Sequence, residues 1–137
     1  MTKKICIIDD DQKVRNVLEE TVYNMGFYPE SYASMHSFLH AQVEKYKDGN
    51  LEDLPSLVLC DKNLGKGQKF GCSHWKEYAT DTILNKIPRV MLTGEYVSPW
   101  CEGCDPKAKE SVTACYNKAF IINAGRLENI IKNYMRK

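Results

Sequence analysis

The stretch Ile5-Cys6-Ile7-Ile8-Asp9-Asp10-Asp11 decides the fold. Its first four residues form a continuous apolar run, the mark of a strand covered on both faces. The run stops at three consecutive carboxylates. Behind them the period changes. Val14, Leu18, Val22 and Met25 recur at helical spacing, and Gly26 is suited to end that helix. A buried strand, a charged junction and an amphipathic helix make one unit of an α/β protein.

The pattern repeats outward from there. Residues 27–33 read as a weaker strand interrupted by Pro29, and 35–47 as a helix carrying Phe38, Leu39, Val43 and Tyr46 on one side. Lys47-Asp48-Gly49-Asn50 is turn chemistry. Leu57-Val58-Leu59-Cys60 is a second buried strand, ending at Asp61, followed by a Gly/Lys-rich loop over 65–71. Residues 73–85 read as a helix packing through Trp75, Tyr78, Ala79 and Ile83. Val90-Met91-Leu92 is a strand ending at Thr93, and Val112–Tyr116 a strand ending near Lys118. Leu127, Ile130, Ile131 and Tyr134 place a closing helix over 124–135. Five strand–helix units predict a doubly wound parallel sheet, (βα)5, with helices on both faces.

In such a sheet ligands sit beyond the carboxyl ends of the strands. Those ends here carry Asp9, Asp10 and Asp11, then Asp61, then Thr93, then Lys118. One crevice therefore gathers at least three carboxylates, a hydroxyl and an ammonium. Clustered carboxylates repel one another unless a cation joins them. Hard oxygen donors with retained water suit Mg²⁺, with Mn²⁺ as the alternative. A metal with a lysine opposite could neutralise a phosphoryl group in transfer, and an aspartate can itself accept that group.

At this point the sequence resembles the receiver domains of response regulators over essentially its whole length, with a flavodoxin-like fold. The matching pieces are Ile7-Ile8-Asp9-Asp10-Asp11 with Arg15 downstream, Leu57-Val58-Leu59-Cys60-Asp61, Val90-Met91-Leu92-Thr93-Gly94 and Lys118-Ala119-Phe120. The resemblance implies a single domain, 1–137, that switches in two-component signalling. It implies Asp61 as the phospho-acceptor, Asp10 as a direct Mg²⁺ ligand, Asp9 as a ligand through water, and the backbone carbonyl of Asn63 as a further donor. Lys118 would pair with Asp61 and then with phosphate, and Thr93 would be the switch hydroxyl. Asn63 and Glu95 would tune the loss of phosphate, in a pairing like that of chemotaxis-type receivers. Such a domain is no enzyme beyond its own phosphorylation and dephosphorylation. Its implied partners are a sensor histidine kinase or histidine phosphotransfer protein and a downstream protein target. A homodimer through the fourth helix, fifth strand and fifth helix is left open.

The sequence departs from that family at several positions. Ala119 stands where a proline is usual after the lysine, and Gly65 where one is usual after the acceptor strand. The switch aromatic usually lies three residues before the lysine, which here is Cys115, with Tyr116 one residue later. A one-residue shift in a strand reverses the side-chain direction, so the reading favours Tyr116 in the core. Pro99 and Pro106 argue against a long regular fourth helix.

Asp11 suits a helix N-cap. Cys101-Glu102-Gly103-Cys104 lacks the ligand count of a zinc site and reads as two loop thiols. His36 and His40 read as solvent-facing. The glycines at 65, 67 and 71 lack nucleotide-loop spacing. Cys6, Cys60 and Cys115 sit in apolar runs and read as small buried hydrophobes. The apolar run Ile5–Ile8 is too short for a leader or a membrane span. Nineteen basic against 18 acidic residues leave a net charge of +1, so no basic excess points to nucleic acid. The chain reads as cytosolic, with no disulfide framework expected.

Two rival functions stay in view. A haloacid-dehalogenase-type phosphatase would use Asp9, Asp11, Thr93 and Lys118, but it leaves Asp61 without a role and lacks an acidic pair after the lysine. A degenerate receiver would bind partners without carrying phosphate. The chain ends with its last helix, so the switch is expected to act alone or as an excised piece of a longer regulator.

Overall fold

The computed structural model describes residues 3–47, 54–61, 87–93, 114–117 and 126–135. Within them five strands form one parallel sheet: β1 (Lys4–Ile8), β2 (Tyr28–Tyr32), β3 (Leu57–Asp61), β4 (Arg89–Thr93) and β5 (Ala114–Asn117), in the order β2-β1-β3-β4-β5. Three helices are described: α1 (Gln12–Asn24), α2 (Met35–Lys47) and α3 (Arg126–Met135). The helix expected between β3 and β4, and the irregular segment between β4 and β5, lie outside the described residues. Among the described residues no helix is long and apolar enough to cross a membrane.

The apolar runs become strands because both of their faces are covered. Ile5, Ile7, Leu57, Leu59, Val90 and Leu92 form one buried cluster with Leu18 and Val22 of α1 and Leu127, Ile131 and Met135 of α3. Each such buried aliphatic side chain contributes roughly 1.5–3 kcal/mol. The alternate residues Cys6, Ile8, Val58, Cys60 and Met91 are equally buried. They belong to the opposite face, because neighbours along a strand point to opposite sides. Tyr32 is the register partner of Ile8, and its ring meets that of Phe38 from α2 edge-to-face, with centroids 5.6 Å apart. Helix α2 therefore covers the second face. Ser31, the partner of Ile7, hydrogen-bonds Glu19 of α1, which places α1 on the first face.

The helix ends follow from local chemistry. Asp11 has an extended backbone, and its Oδ1 accepts the Lys13 N–H at 2.9 Å, so it is the N-cap of α1 as expected. At the other end the Gly26 N–H donates to the Tyr23 carbonyl at 3.0 Å and the Phe27 N–H to that of Val22 at 3.2 Å. That double closure needs a left-handed residue, and Gly26 has φ +90°. Ser34 caps α2, its Oγ accepting the Ser37 N–H at 3.1 Å. The second strand is weak in sequence because it is an edge strand whose residues are half-buried or exposed. Pro29 sits there without breaking the sheet, as edge strands tolerate proline. Cys6 and Cys60 are buried, and His36 and His40 are exposed, all as read. Cys101, Cys104 and His74 lie outside the described residues.

Candidate functional site

The chain leaves β1 toward β2 on one side and reaches β3 on the other. This reversal opens a crevice at the carboxyl ends of β1 and β3, the usual ligand position in an open α/β sheet. Ile8 is the register partner of Cys60, so the next residues, Asp9 and Asp61, emerge side by side. Carboxylate oxygens of Asp9, Asp10 and Asp61 all lie within 4.8 Å of one another. Asp9 and Asp61 are buried, 1% and 6% exposed, whereas Asp10 is exposed.

The turn carrying this cluster is tightly tied. The Asp9 N–H donates to the Tyr32 carbonyl of β2 at 3.1 Å. Asp9 Oδ1 accepts the Asp11 N–H at 2.9 Å. Arg15, from the first turn of α1, donates through Nη1 to the Asp9 carbonyl at 2.6 Å and through Nη2 to Gln12 Oε1 at 2.5 Å. On the β3 side, the Cys60 thiol donates to the Asp61 carbonyl at 3.4 Å.

At a separation of about 4.8 Å and an effective dielectric near 20, two carboxylates repel by on the order of 3 kcal/mol. Burial worsens this for Asp9 and Asp61, because little water screens them. A divalent cation among the three oxygens removes the conflict. The donors are all hard carboxylate oxygens, and one side of the cluster is open at Asp10 to retained water. This set fits Mg²⁺ or Mn²⁺ and would suit a soft metal poorly.

The other predicted positions are reached only in part. Thr93 ends β4 and pairs with Asn117 of β5; Cys115 pairs with Met91 and Tyr116 with Leu92. For these residues the structure describes backbone pairing. Asp61 pairs with Leu92, so the ends of β3, β4 and β5 share one edge of the sheet. Asn63, Glu95 and Lys118 lie outside the described residues. Sequence reasoning quoted Arg15 only as part of a pattern and missed its grip on the Asp9 carbonyl. A basic residue one helical turn behind an acidic strand end was the available signal.

Solved structures share this architecture. A CheY-like receiver domain from Methylobacillus flagellatus superposes with a TM-score of 0.71 at 19% identity, covering 98% of this chain and 99% of that one. This is the receiver fold. The phosphorylated cyanobacterial phytochrome response regulator RcpA carries the same receiver fold, with a TM-score of 0.72 at 19% identity over 99% of this chain and 96% of its own. So does the chemotaxis protein CheY4 of Vibrio cholerae, at 0.69 and 18% identity over 98% and 100%. No protein-family model and no curated protein matches the sequence. At these identities it is the receiver fold that is shared, and the chemistry must be argued from this chain's own residues.

Proposed function

We propose that this protein is a phospho-acceptor switch of two-component signalling, in which Asp61 takes a phosphoryl group from a histidine kinase or histidine phosphotransfer protein. The observation that carries the reading is the clustering of Asp9, Asp10 and Asp61 at the β1/β3 crevice of a receiver fold. The cluster includes Asp61, the residue a haloacid-dehalogenase-type phosphatase leaves without a role.

In this reading an Asp61 carboxylate oxygen attacks the phosphorus, the bond from phosphorus to the donor nitrogen breaks, and the donor leaves as neutral histidine after taking up a proton. Asp9, Asp10 and Asp61, with the Asn63 carbonyl, would hold Mg²⁺, which when bound would supply positive charge that offsets the incoming phosphoryl oxygens. Lys118 pairs with Asp61 and then with the phosphate. Thr93 hydrogen-bonds a phosphoryl oxygen and draws the loop after β4 toward it, which converts phosphorylation into a change of surface. Asn63 and Glu95 tune the loss of the phosphoryl group. The sequence change at Cys115 and Tyr116 alters how that movement reaches β5. The full (βα)5 repeat over a single domain, 1–137, a cytosolic setting and a protein target downstream complete the proposal.

The test is phosphate release and retention in one experiment. The protein is supplied with Mg²⁺ and acetyl phosphate and followed by phosphorus NMR. The switch predicts a protein-bound acyl phosphate in wild type that is absent in Asp61→Asn. Sustained turnover that survives Asp61→Asn but not Asp9→Asn would establish the phosphatase instead. A protein that binds Mg²⁺ yet never gains phosphate from any of several donors would be a degenerate receiver.

A further inference from the structure

We propose that Arg15 is a positioning residue for the metal pocket, holding the peptide that joins its two adjacent carboxylates. This rests on the reading of Asp9 and Asp10 as metal ligands. The carbonyl that Arg15 Nη1 grips at 2.6 Å belongs to the Asp9–Asp10 peptide. A peptide plane is rigid, so its orientation is set by the two soft dihedrals on either side. Turning that plane would swing the Asp9 and Asp10 carboxylates relative to one another.

Two neighbouring contacts hold the same turn at other points. The Asp9 N–H is held by Tyr32 and Asp9 Oδ1 by the Asp11 N–H, but both bonds lie outside the joining peptide. Arg15 is itself braced. Its Nη2 donates to Gln12 Oε1 at 2.5 Å, and Gln12 Nε2 donates onward to Asn16 Oδ1 at 2.8 Å. The guanidinium thus bridges the Asp9 carbonyl and Gln12, a job that needs a planar fork. A lysine ammonium keeps the charge but lacks the fork geometry.

Arg15 has a second, opposite influence. Its positive charge near the pocket repels a divalent cation, so removing the charge alone would tighten Mg²⁺ binding. The two influences have opposite signs, which makes the proposal testable. Positioning predicts that Arg15→Lys, with charge kept and fork lost, weakens Mg²⁺.

The experiment is calorimetric titration of Mg²⁺ into wild type, Arg15→Lys, Arg15→Gln and Gly26→Ala, with thermal unfolding of each metal-free protein. Gly26→Ala strains the far end of α1 and leaves the turn untouched, so it reports what mere loosening of the helix does. Arg15→Lys is expected to raise the Mg²⁺ dissociation constant by roughly tenfold, as loss of a residue supporting metal ligands does. Its phosphorylation rate at saturating Mg²⁺ should return to that of wild type. Gly26→Ala should unfold earlier and bind Mg²⁺ as wild type does. Unchanged affinity in Arg15→Lys would overturn the proposal. So would an equal loss in Gly26→Ala. A wild-type protein that takes up no Mg²⁺ would overturn the metal reading itself, and the role of Arg15 with it.

Discussion

A carboxylate at the end of a buried strand is costly to keep charged, and a second beside it raises the cost. Asp9 and Asp61 nevertheless sit together, nearly closed to solvent, with oxygens of Asp10 within 4.8 Å. Folding alone does not call for such an arrangement, whereas binding a cation does. Asn at position 9 keeps an acceptor for the Asp11 N–H while losing its charge. Asp9→Asn should therefore fold normally yet weaken Mg²⁺ by at least about tenfold, or about 1.4 kcal/mol. Calorimetry reads this directly, and an unchanged isotherm would remove Asp9 from the metal site. The three aspartates were legible in the sequence because each lies where an apolar run stops, and parallel sheets bring such stops to one edge. The Arg15 fork was only faintly legible, as a basic residue one helical turn behind an acidic strand end, because its partner is a backbone carbonyl.

Among the elements, α1 carries the pocket, and its two ends set its stability. Asp11 caps it through the Lys13 N–H. Asp11→Ala should cost about 1 kcal/mol, and Asp11→Asn much less, since Asn caps as well as Asp. Urea unfolding of the two variants separates a cap from a charge effect; equal losses would assign the effect to charge. On the other face Phe38 is fully buried against Tyr32. Phe38→Ala should cost roughly 3–5 kcal/mol, and a loss below about 1 kcal/mol in the same measurement would mean that α2 is not docked as described. The buried strands and α1 were plain in the sequence, because covering on both faces yields unbroken apolar runs and covering on one face yields helical spacing. The edge strand β2 was faint, since an edge has little to bury. In α3 the reading named Leu127 and Ile131 correctly. It took the half-buried Ile130 and Tyr134 as equals and passed over the buried Met135. Position on the helix circumference, rather than apolar character, decided which of these reached the core.

The whole molecule is a parallel sheet whose chain reversal between β1 and β3 creates an acidic crevice, with helices covering the sheet on both faces. If the crevice binds Mg²⁺ only when folded, a hundredfold excess over the dissociation constant should stabilise the protein by about 2.7 kcal/mol. Thermal unfolding with and without Mg²⁺ checks this, and Asp9→Asn should lose most of the gain. No upward shift in wild type would mean that the folded crevice holds no cation. Asp61 is the phosphoryl donor's target, and its modification needs the metal. The measurement that tests it most directly is the intact mass of the protein after incubation with acetyl phosphate and Mg²⁺, beside an EDTA sample and Asp61→Asn. The account predicts a gain of one phosphoryl group in wild type alone. The same gain in Asp61→Asn, or with the metal removed, would contradict it.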